Sequence, residues 1–178
     1  MTQTGQAARP ASKRGLSPLE AGAALGCAVV FLLALAALGQ ALLRHADIPP
    51  VFGKAAVLAH FATVLAALPL AASQIVLPKG TTRHRAVGYV WCALMIATAL
   101  ISFAVHESNP HGFSFIHLFS ALTLVFVPLL IWHARAGRIE HHRRTVLWLV
   151  AGGLVIAGLF TFVPGRALGE LLGSLWIR

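Results

Sequence analysis

Five long apolar runs constrain this chain more than anything else in it. They cover about residues 20–43, 51–77, 86–105, 113–134 and 145–164. A helix needs about 20 apolar residues to cross the hydrocarbon core of a bilayer, and each run is near or above that length. The fold class that follows is an all-α integral membrane protein with five transmembrane helices. Composition agrees: 58% of residues are hydrophobic and 11% charged, where a soluble domain averages about 25% charged. The 178 residues leave no room for a separate soluble domain.

The segments between the runs set the organisation. Residues 1–18 are polar and small and read as a disordered cytoplasmic tail. Residues 19–44 hold the first helix, and 51–166 a four-helix membrane core. The piece 167–178 is short for a span and reads as an interfacial helix. The first run, about 24 residues, exceeds the 7–15 of a signal-peptide core, so it is expected to be retained. Pro69 and Pro128 fall inside the second and fourth runs and should bend those helices. Cys27 and Cys92 lie in apolar runs without any zinc-type spacing, which points to packing.

The formal net charge of +9 raises the question of a nucleic-acid partner. Its distribution answers it. With a cytoplasmic N-terminus, the inner segments carry Arg9, Lys13, Arg14, Lys79, Arg83, Arg85, Arg135, Arg138, Arg143 and Arg144. The outer ones carry only Arg44, Lys54, Arg166 and Arg178. That is the positive-inside pattern, with the C-terminus outside. Contact with anionic lipid accounts for the rest, and no nucleic acid is needed.

Catalytic motifs are missing. The chain has no Gly-x-Ser-x-Gly, no phosphate loop and no His-Glu-x-x-His. None of the five acidic residues lies clearly within a span, which weakens carboxylate acid–base chemistry and proton-coupled transport alike. Gly153 and Ala157, with Gly152 and Gly158 nearby, make a small-residue face for close helix packing.

Histidine carries the functional signal, in a pattern that occurs twice. His60 lies inside one run and His84-Arg85 opens the next, 24 residues on; His117 and His142-Arg143 repeat this at 25. Thr63 and Ser120 follow the buried histidines by three residues, and Leu65 and Leu122 by five. The core thus reads as a duplicated two-helix repeat, about 51–108 and 109–166. Two helices per copy preserve orientation, so the copies should be related by an axis along the membrane normal. That axis would bring His60 and His117 to one depth in the outer half, and His84 and His142 to the inner boundary.

Two imidazoles from facing helices can hold a haem iron, and imidazole suits copper as well. The bland alternative has His60 and His117 bonding to hydroxyls or carbonyls across helices, and His84 and His142 capping helices or meeting headgroups. His133 is placed to substitute for either inner ligand. His45, His106, His111 and His141 read as solvated loop residues.

The arrangement resembles the four-helix core of the cytochrome b561 group, whose bis-histidine haems sit on the corresponding helices. Local stretches also resemble the DUF2306 family of uncharacterised bacterial membrane proteins. These are Lys79-Gly80-Thr81-Thr82-Arg83-His84-Arg85-Ala86-Val87-Gly88-Tyr89-Val90-Trp91, then Phe113-Ser114-Phe115-Ile116-His117-Leu118-Phe119-Ser120. His142-Arg143-Arg144, the stretch Gly153–Thr161, and Pro164-Gly165-Arg166 complete them. The likeness spans about residues 51–168, with Val146 a mild departure. It implies a bacterial inner-membrane protein of multiple spans and no established activity.

The expectation is a membrane protein that binds haem b or a metal through His60, His117, His84 and His142, with His60 and His117 the metal candidates. Redox proteins would be its partners. The alternative is a small permease or an assembly partner of a membrane complex.

Overall fold

The computed structural model describes residues 15–43, 50–105 and 115–173. Five helices in it are long and apolar enough to cross a membrane. They are α1 (Pro18–Leu43), α2 (Ala55–Val76), α3 (Thr82–Ser102), α4 (Phe115–Arg135) and α5 (Ile139–Phe160). A short helix, α6 (Ala167–Gly173), follows. No strand occurs among the described residues. The chain is an all-α, multi-pass membrane protein.

Only 17% to 33% of each spanning window is buried inside the bundle. The remaining surface is rich in leucine, with Leu25, Leu32, Leu42, Leu58 and Leu100 all exposed. Apolar area on that scale is unsustainable in water and is at home against lipid tails.

Each spanning helix packs on the next in sequence, and α1 lies against α2, α5 and α6. The interior is built from small and medium side chains: Cys27, Ala67, Leu68, Trp91, Val127, Val150 and Leu154 are almost fully buried. Both cysteines are free and buried, as the packing reading expects. Where α1 crosses α5, two glycines let the backbones approach. A Cβ on Gly26 would stand 2.8 Å from Val155 Cγ1, and one on Gly158 would stand 2.8 Å from Val30 Cγ1. Of the small residues of the last helix, Gly158 receives α1, while Gly153 faces Met95 of α3 and Thr123 of α4.

The α2–α3 and α4–α5 turns are built alike. Gly80 and Gly137 each adopt positive φ, 78° and 70°, a conformation that side chains with a Cβ resist. They stand 57 positions apart, the offset that separates His60 from His117. Thr81 then caps α3, its side chain accepting from the His84 backbone N–H at 3.1 Å.

Two helices start earlier than their apolar runs. Expected from about 86 and 145, α3 and α5 begin at Thr82 and Ile139. Hydrogen bonding continues through the charged turns because the cap and the left-handed glycine, not hydropathy, decide where a helix starts. His84, His141 and His142 are consequently helical, His141 included, although it was expected in a loop. Residues Leu149–Ile156 of α5 are π-helical, a departure that often marks functional positions. In the C-terminal piece, expected to lie at the interface, α6 buries Leu168 and Leu171 against Ala34, Ala37 and Ala41 of α1. Residues 1–14, 174–178 and the histidines at 45, 106 and 111 fall outside the described residues.

Candidate functional site

Four histidines gather where Lys79, Arg83 and Arg138 lie, at the basic end of the bundle. His84 and His142, in the first turns of α3 and α5, are half-buried and close enough to interact electrostatically. His133, near the end of α4, is 8% exposed. Its ring lies 5.2 Å from that of His141 and 5.0 Å from Trp132, centroid to centroid. His133 is also within electrostatic range of His142.

His142 is held in a definite orientation. Its Nδ1 stands 3.1 Å from the carbonyl oxygen of Leu130 on α4. A carbonyl only accepts, so Nδ1 carries the proton, and in the neutral ring Nε2 keeps its lone pair. A backbone carbonyl on the far nitrogen is how ligating imidazoles are oriented. The Nδ1 atoms of His84 and His133 are buried with no hydrogen-bond partner, as are Gln74 Nε2 at the same end and Trp91 Nε1 in mid-membrane. Each such atom costs about 1–3 kcal/mol, so a polar occupant at this depth would be stabilised.

In the opposite half the expected pair separates. His60 Nδ1 stands 3.3 Å from the Thr98 carbonyl on α3, again leaving Nε2 as the lone-pair nitrogen. His60 lines a cavity of about 90 Å³ with Met95, Thr98, Ser102, Ser120 and Thr123. His117 is buried, 4% exposed, but it does not line this cavity. Its ring stacks on Phe103, centroids 5.8 Å apart and planes at 25°. Ser120, three residues or about 4.5 Å further along α4, does reach the cavity. The matched hydroxyls also diverge: Ser120 donates to Ser102 at 2.9 Å across helices, while Thr63 donates to its own helix at the His60 carbonyl.

One residue at the basic end was missed from sequence. Glu20, 6% exposed, lies in the first turn of α1, and Arg143 Nε donates to its Oε1 at 3.0 Å. Arg143 also donates to Ser17 Oγ at 3.1 Å, and Lys79 Nζ stands 3.9 Å from the same carboxylate. The Ser17 backbone N–H donates to Glu20 Oε2, and the Glu20 N–H to Ser17 Oγ, at 2.9 and 3.3 Å. This is a capping box with Pro18 at the first helical position. The signal was present as Ser17-Pro18-Leu19-Glu20 directly before an apolar run.

Among the described residues, no three or more His, Cys, Asp or Glu side chains converge to hold a metal ion. Haem asks less, since two opposed imidazoles suffice. His117 is not among the residues that line the His60 cavity. At the basic end His84 and His142 arise from α3 and α5, the helices expected to carry the inner pair, and Nε2 of His142 is held lone-paired. Compared with family models, characterised proteins and solved structures, the chain matches none.

Proposed function

We propose that this is an electron-carrying protein of the bacterial inner membrane that holds a b-type haem at its basic end, with His84 and His142 as the axial ligands. The observation that carries the reading is the anchored imidazole of His142 beside His84, whose own Nδ1 is buried and unpartnered. A bis-histidine haem would supply one-electron chemistry with a potential set by its surroundings. The chain's part would be to hold the two rings. His133 stands beside His142 as a replacement ligand. The likeness of the helix pairing to the cytochrome b561 core supports the same reading, with the basic end cytoplasmic and a redox protein as partner.

A reduced-minus-oxidised spectrum of protein purified in detergent, after expression with haem supplied, tests this. Soret and α-bands are expected. A flat spectrum with no bound porphyrin overturns the proposal. The cavity around His60 favours a second reading, a small permease or assembly partner without redox activity, which a flat spectrum would leave in place.

A further inference from the structure

The half of the bundle away from the basic end holds a second candidate site, independent of any haem. The cavity beside His60 has mostly apolar walls with a few polar groups converging on it, the usual make-up of a small-ligand site. Most of its hydroxyls are committed: Ser120 to Ser102, Thr123 to the Phe119 carbonyl, and Thr161 to the Gly158 carbonyl. Two groups are not. His60 Nε2 keeps a lone pair because Nδ1 donates to the Thr98 carbonyl. Thr98 Oγ1 is buried with no partner, on a residue only 9% exposed. His60 Nε2 and Thr98 Oγ1 are thus an acceptor and a hydroxyl donor left for a ligand.

A second cavity of about 70 Å³ adjoins the first and shares His60, Val64, Gly158 and Thr161 with it. Its other walls are apolar, among them Val30 and Ala34 of α1, Leu68 of α2 and Leu168 of α6. A compartment with a few polar groups thus lies beside one whose remaining walls are apolar, with His60 in the wall they share. No carboxylate, lysine or arginine lines either, so a charged ligand would be left uncompensated.

We propose that this double cavity binds a membrane-soluble amphiphile with a neutral hydroxyl head. The head donates to His60 Nε2 and accepts from Thr98 Oγ1, and the chain lies in the compartment beside α1. A ketone or ether head supplies only an acceptor and leaves the His60 lone pair unmet, so the site selects alcohols.

Photolabelling of the protein in nanodiscs with azioctanol, and with its methyl ether, tests the proposal. The alcohol should label residues lining the two compartments, and excess octanol should suppress this. Thr98→Val keeps the carbonyl that anchors His60 and removes only the hydroxyl; labelling there should fall about three- to tenfold. His60→Leu should do the same. Equal labelling by the ether, or labelling unchanged in Thr98→Val, overturns the proposal. The readout does not depend on haem, so failure of the redox reading leaves it standing.

Discussion

Arg143 Nε lies 3.0 Å from Glu20 Oε1, an ion pair that ties the first turn of α1 to the first turn of α5 across 123 residues of sequence. The carboxylate is nearly sealed from solvent while the guanidinium is partly open, with side-chain exposures of 8% and 35%. One carboxylate therefore starts a helix, neutralises the arginine next to His142, and fixes where α1 docks.

Removing that carboxylate should loosen α1. Glu20→Gln is expected to cost about 1–3 kcal/mol, since it leaves Arg143 without its buried counter-charge. Ser17→Ala should cost about 1 kcal/mol through the cap alone. A double-mutant cycle on Glu20 and Arg143, read by unfolding in mixed micelles, should give a coupling above about 0.5 kcal/mol. Additive losses would show that the contact carries no energy.

The two glycines at the crossing of α1 and α5 should be sensitive where a third is tolerant. Gly158→Ala and Gly26→Ala push a Cβ onto Val30 and Val155, stiff β-branched neighbours, and should each cost about 1–3 kcal/mol. Val30→Ala should restore Gly158→Ala. By contrast a Cβ on Gly153 meets Met95 Cε at 3.7 Å and Thr123 Oγ1 at 3.8 Å, ordinary contacts. Gly153→Ala should keep the wild-type melting temperature, and an equal loss at both positions would contradict this packing.

Cys27 and Cys92 give a labelling check on the interior. Cys27 is 0% exposed and Cys92 6%. A maleimide reagent should leave both unmodified in the folded protein and modify both after denaturation. Rapid modification of native protein would mean that the α1 packing is not the one described.

The spans were legible because the bilayer leaves a helix little choice of length, and α1, α2 and α4 lie close to their apolar runs. The starts of α3 and α5 were not, since Thr81 and Gly137 act through hydrogen bonding and φ rather than hydropathy. Glu20 was passed over as a lone carboxylate at the edge of a run, though its spacing from Ser17 was a readable cap. The histidine pairs were legible as spacing only. Spacing gives depth to within a turn, but it does not fix which residues line one cavity, and Ser120 rather than His117 lines the one beside His60. It could not reveal that Leu130 and Thr98 offer carbonyls to His142 and His60, because that depends on helix rotation in the bundle. The anchored ring of His142 gives the inner pair, expected as ligands alongside His60 and His117, the greater weight.

The most direct test compares the dithionite-reduced spectra and haem content of four variants with the wild type: His84→Ala, His142→Ala, His60→Ala and His117→Ala. The account predicts that His84→Ala and His142→Ala abolish or shift the α-band, while His60→Ala and His117→Ala retain it at wild-type intensity. A band that survives in both inner variants, or is lost only in the outer ones, would contradict the assignment of His84 and His142 as the ligands.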